Sequence, residues 1–167
     1  MNKRGIFIAV LIFVLLFCSC SYRNTATADE LIGRLLAVCG EDYTDNGYMY
    51  FLGAEQGEVG YFSEENKVSL YGRRAYEHSF DKIESCAVYV SARTPSELAV
   101  FRCYSSSDTR DIALMCRDRV DMLKVALRGT EYEEKINAAR IVEHGRYVVY
   151  AFVENPNKAI ERFYKLI

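Results

Sequence analysis

The segment Glu97–Cys103, E-L-A-V-F-R-C, constrains the fold more than any other part of the chain. It is short, β-prone and apolar at most positions, so it reads as a strand whose two faces both need cover. A single-layer sheet cannot provide that, because one of its faces meets water. The chain must therefore place helices or further strands on either side of this segment.

The surrounding sequence supplies those partners. Residues 86–92 read as a strand, residues 93–96 (R-T-P-S) as a turn, and residues 98–103 as the return strand. In Pro95 the turn carries a residue that cannot donate to a ladder. A four-residue loop sets Ala92 opposite Glu97, Val90 opposite Ala99, Val88 opposite Phe101 and Cys86 opposite Cys103. Tyr89, Leu98 and Val100 then occupy the other face. Next comes an amphipathic helix from Ser107 or Asp108 to about Arg128, with Ile112, Cys116, Val120, Leu123 and Leu127 on one stripe. Residues 138–153 read as a second hairpin turning at His144-Gly145. Asn155 and Pro156 open a closing helix as cap and first residue. Its buried stripe is Ala159, Ile160, Phe163, Tyr164 and Ile167.

The expected fold class is therefore α+β. A four-stranded, mainly antiparallel sheet in the order β-β-α-β-β-α has helices packed on it, with an extra N-terminal helix. Residues 28–167 form one domain with its core in 85–167. The extra helix is Ala28–Cys39, where Thr27 and Glu30 make a capping box and Gly40 stops the run. Residues 48–52 (Y-M-Y-F-L) are strand-like but ambiguous. Ser63 caps a short helix ending at Tyr71 before Gly72, and residues 73–80 read as irregular.

The N-terminus carries a separate message. Lys3 and Arg4 precede twelve apolar residues, 6–17, and then Cys18, Ser19 and Cys20. A basic start, a short apolar run and a small residue before the cut describe an export leader. The run is shorter than the ~20 residues a membrane-spanning helix needs. The ending resembles the lipobox of bacterial lipoproteins, with Ser19 in the small position and Cys20 as the lipidated residue; Phe17 stands where that motif usually has Leu. Residues 1–19 are then the leader and 20–27 the tether. An uncleaved anchor and a plainly secreted form are the other readings, and all three place the domain outside the cytoplasm, the first of them at the membrane's outer face. Removing the leader leaves 19 basic and 23 acidic side chains, net −4. A mildly acidic domain without a basic stripe is a poor partner for nucleic acid, whose phosphates dominate affinity.

E-L-A-V-F at 97–101, the long helix after it, and G-R-Y-V at 145–148 with a closing helix together resemble small lipoproteins of Gram-positive anaerobes built on a domain of unknown function, the DUF4358 family. The resemblance covers about 85–167 and the leader. It implies a lipoprotein and an α+β core, and it supplies no activity and no catalytic residues.

Candidate chemistry is sparse. Cys39, Cys86, Cys103 and Cys116 show no C-x-x-C spacing, so a zinc knuckle is not indicated. The expected register offers a Cys86–Cys103 disulfide, against which stands a pair of buried thiols. His78 lies near Glu77 and Asp81, and His144 sits in a turn. Residues 41–47 hold acidic and amide side chains in partial EF-hand spacing, but Gly53 occupies the position where a bidentate Glu is required. Tyr43, Tyr48, Tyr50 and Tyr61 suit either packing or a binding patch. No cofactor and no metal are implied. Three functions follow as expectations: a non-catalytic binding or accessory module on the envelope, an enzyme with a dispersed site in a pocket between the Tyr48 region and the sheet that collects His78, Asp81 and Glu77, or a subunit of an envelope assembly using the second face of the sheet.

Overall fold

The computed structural model describes residues 26–40 and 47–167. The leader, Cys20, most of the tether, Tyr43 and the rest of the 41–46 loop lie outside the described residues.

The elements run α1 (Ala28–Cys39), β1 (Gly47–Phe51), α2 (Glu64–Tyr71), α3 (Arg73–Ser79), a 3-10 turn (Phe80–Lys82), β2 (Ile83–Ser91), β3 (Glu97–Cys103), α4 (Thr109–Ala126), α5 (Glu133–Asn137), β4 (Arg140–His144), β5 (Tyr147–Phe152) and α6 (Pro156–Leu166). The sheet has five strands in the order β1-β2-β3-β5-β4, every pair antiparallel. The fold is thus α+β as expected, but with five strands rather than four. The addition is the ambiguous Tyr48 segment, which pairs Gly47 with Ser91 and Tyr50 with Val88 as an edge strand.

β3 is central, and all seven of its residues are buried. On one face Cys86, Val88, Ala99, Phe101, Val148, Tyr150 and Phe152 pack against Ile112, Met115, Cys116 and Val120 of α4, with Phe62, Tyr71 and Phe80 closing the layer. On the other face Ala87, Tyr89, Leu98, Val100, Val149 and Ala151 pack against Leu31, Leu35 and Leu36 of α1 and Ala159 and Phe163 of α6. Helices of the chain itself therefore cover both sheet faces, which removes the second face as an interface for an envelope assembly.

Local chemistry explains the elements. Glu30 N–H donates to Thr27 Oγ1 (3.3 Å) and Thr27 N–H donates to Glu30 Oε2 (2.9 Å), completing the capping box of α1. Gly40 ends that helix at φ 81°, a conformation that costs a glycine little. Ser63 caps α2 by accepting from Asn66 N–H at 3.1 Å. Asn155 occupies the cap position of α6, but its side chain donates to Cys39 O (3.4 Å) and ties the start of α6 to the end of α1.

Four expectations need correction. Residues 73–79 are helical, not irregular; Gly72 splits them from α2, and the periodicity of a two-turn fragment is too short to read. The first hairpin is slipped by two, with Val90 opposite Glu97, Val88 opposite Ala99 and Cys86 opposite Phe101. The loop chemistry accounts for the slip: Ser91 Oγ accepts from the N–H groups of Arg93 and Thr94, and Ser91 N–H donates to Ser96 O, so the strand stops at Ser91. An even slip keeps the faces, and Val88 and Phe101 still share one core layer. In the second hairpin His144 pairs with Tyr147, so the turn is Gly145-Arg146, with Gly145 at φ 57°. Tyr164 is 48% exposed rather than part of the buried stripe of α6.

Gly47 tests the added strand. A methyl group there would run into the buried Tyr89 ring and come within 2.8 Å of Val90 O. Neither neighbour can retreat, one being backbone and the other core. Gly47→Ala is expected to cost about 1–3 kcal/mol by overpacking, read as a lower urea midpoint. A wild-type midpoint would argue against β1 pairing in this position.

Candidate functional site

Gly72 turns the chain between α2 and α3 and sets α3 beside the middle of α4. The result is an open groove of about 660 Å³. Tyr71 and Met115 line it among the buried residues, and Leu114, Asp118 and Met122 reach it from successive turns of α4. His78 and Lys82 stand opposite. Lys82 Nζ meets Asp111 Oδ2 at 2.5 Å; this hydrogen bond and the paired charge raise the lysine pKa and lower that of the carboxyl.

The groove does not gather the trio expected around His78. Glu77 pairs with Arg73 one turn back at 3.8 Å, and Asp81 is not part of the lining. What His78 shares is an apolar-floored trough rimmed by an already formed ion pair. That arrangement suits holding an apolar side chain with a polar edge. Ser79, 5% exposed, lines the groove beside His78.

A second polar cluster lies at the head of β3, and sequence reasoning missed it. Glu97 is 5% exposed and is held by Arg119 of α4 in a two-pronged contact, with Nε to Oε2 at 3.1 Å. Tyr150 Oη donates to the same carboxylate at 3.3 Å. Next to it Lys135 donates to Ser96 Oγ, and Thr94 Oγ1 lies 2.9 Å from that oxygen. A lysine against a serine hydroxyl is a pairing used in nucleophilic catalysis. Here Ser96 is fully buried, and Lys135 also faces Glu154 (3.8 Å) and the Phe152 ring (5.8 Å). No substrate reaches that hydroxyl, so the cluster clamps the β2–β3 loop to α5. A signal was available in sequence: a carboxylate opening an otherwise apolar strand must find a buried partner.

The four described cysteines are free and buried. Cys86 faces Phe101 and Cys103 faces Ile83, so the two are no longer cross-strand partners. Burial pushes the thiols of Cys86 and Cys103 up to about 12 and that of Cys116 higher still. Thiols in that state are poor nucleophiles. Tyr48 and Tyr50 stack along the sheet edge at 6.5 Å, and Tyr50 stacks on Phe62 at 5.1 Å, while Tyr61 bridges to Phe51. Only Tyr48 of these is largely exposed, so most of this tyrosine group is packing. His144 is exposed and lies edge-on to Tyr164 at 5.6 Å. Among the described residues no group of three His, Cys, Asp or Glu side chains is placed to hold a metal ion, and no helix is long and apolar enough to cross a membrane.

No family model matches the chain, and no curated protein or solved structure is significantly similar to it.

Proposed function

We propose that this chain is a lipid-anchored module on the outer face of the cell membrane that works by binding rather than by catalysis. The observation that carries the reading is the leader ending in Ser19-Cys20, followed after six residues by the start of the packed body at Ala26. A diacylglycerol on Cys20 provides the two chains that stable anchoring requires. The described chemistry supports binding: the described thiols are buried, Ser96 is sealed, and the open groove between α3 and α4 offers apolar contact with charged edges. That groove is the surface on which a partner in the envelope would seat an apolar side chain.

The test is expression of the full chain and of Cys20→Ala in a bacterial host, followed by detergent phase separation and intact mass. The wild-type chain is expected in the detergent phase, with residues 1–19 removed and lipid on the new N-terminus. Cys20→Ala is expected in the aqueous phase or with its leader uncleaved. A wild-type chain that keeps its leader, or loses it without gaining lipid, overturns the reading.

A further inference from the structure

One end of the sheet collects the start of β2, the end of β3 and the β4–β5 turn. The chain enters the body at this end. Ala26 O accepts from Tyr147 Oη at 2.7 Å, and Ala28 N–H donates to Ser85 Oγ at 3.3 Å. Two exposed tyrosines stand nearby. Tyr104 follows β3 directly and is 62% exposed; its N–H donates to Lys82 O and its carbonyl accepts from Arg146 at 3.4 Å. Tyr164 is packed edge-on against His144 at the foot of β4. Arg146, in the β4–β5 turn that follows His144, is paired with Glu84 at 2.9 Å. Rings with polar tips beside an arginine match the chemistry of a lipid headgroup layer.

From Cys20 to Ala26 is six residues, which extend to about 20 Å at most. Ala28 is held at Ser85, and the opposite end, at Ser91 and its partner Gly47, lies six residues further along β2, about 20 Å away. The entry end is therefore the one the tether holds nearest a bilayer that carries Cys20, and the Tyr48 end reaches that bilayer only with the tether at full stretch.

Resting on the lipid-anchor reading above, we infer that the end of the sheet bearing Tyr104, the Gly145-Arg146 turn and Tyr164 lies against the bilayer, with the two rings at headgroup level. The groove between α3 and α4 then flanks the body and stays open to partners at the membrane surface.

The chain contains no tryptophan, which makes the test clean. Tyr104→Trp and Tyr48→Trp each give a single reporter at an exposed site, one at either end of the sheet. Each full-length processed chain is placed in phosphatidylglycerol–phosphatidylcholine vesicles with brominated acyl chains. Quenching of the Tyr104→Trp signal is expected to exceed that of Tyr48→Trp roughly threefold, because interfacial rings sit beside the acyl boundary. Intact mass on the same samples reads the lipid on Cys20. A lipidated chain with equal or reversed quenching overturns the orientation alone. A chain without lipid overturns the anchor reading and the orientation with it.

Discussion

Glu97→Gln is expected to destabilise the protein by about 3–5 kcal/mol, because it leaves the Arg119 guanidinium buried without its counter-charge. Glutamine matches glutamate in size, so the loss isolates charge from volume. The carboxylate is almost fully buried and accepts from both Arg119 and Tyr150. Burial alone would lower the arginine's pKa, and the hydrogen bond and charge of Glu97 outweigh it, so the guanidinium stays firmly protonated. With its partner gone, that charge must stay in an apolar layer or pull the middle of α4 off the sheet. For a domain of this size the melting temperature should fall by roughly 10–15 °C. Arg119→Met alone should cost a similar amount by stranding the carboxylate. The triple variant Glu97→Leu/Arg119→Met/Tyr150→Phe removes every charged and hydroxyl partner together, and it should recover most of the loss, since a packed apolar substitute often equals a buried ion pair. Thermal melts of the four proteins decide it; a wild-type melt for Glu97→Gln would show that the pair contributes nothing.

The buried pair also marks where sequence reading stops. Elements governed by neighbours in the chain were legible. The capping box at Thr27 and Glu30, the stop at Gly40 and the Ser63 cap of α2 all depend on residues three to four apart, and the structure places them as read. The two-sided burial of β3 was legible from its composition, because seven largely apolar residues cannot lie on a one-sided sheet. The register was not, because side-chain hydrogen bonds from Ser91 inside the loop fix it, and these compete with the ladder in ways a count of loop residues misses. β1 was ambiguous because Y-M-Y-F lacks a polar alternation, and only its pairing with β2 identifies it. The partners of Glu97 lie 22 and 53 residues away, and nothing local announces them. The groove has the same character: His78 looked tied to its sequence neighbours, but helix geometry turns Glu77 toward Arg73 and leaves His78 to face α4.

The largest effect is expected at alkaline pH. Cys86, Cys103 and Cys116 have thiol pKa values raised from the ordinary 9.0, the first two to about 12, because burial penalises the thiolate. Tyr71 and Tyr150 are raised well above 10.0 for the same reason, with Cys116 adding to it at Tyr71 and the nearby charge of Glu97 at Tyr150. All five groups keep their protons in the folded state and lose them readily in the unfolded chain. Their contribution is complete below pH 9, and it is lost as pH rises from there toward 12. Once the unfolded group has titrated, each costs about 1.4 kcal/mol per pH unit. Three thiols alone withdraw roughly 8 kcal/mol by pH 11 and the two phenols about 3 more, against a typical total of 5–15 kcal/mol. A single cooperative unfolding transition is therefore expected between about pH 10 and 11.5, with tyrosinate absorbance and loss of circular dichroism rising together. Replacing the three cysteines by alanine opens small cavities that lower stability at neutral pH, yet it removes three of the five titrating groups. The slope of stability against pH between 9.5 and 10.5 should then fall by roughly three-quarters, to about 1.4 kcal/mol per unit, because the two phenols of the unfolded chain are only about half titrated across that window. Equal slopes for the two proteins would mean that the thiols titrate as freely in the folded chain as in the unfolded one, and so do not sit in the dry layer between β2, β3 and α4.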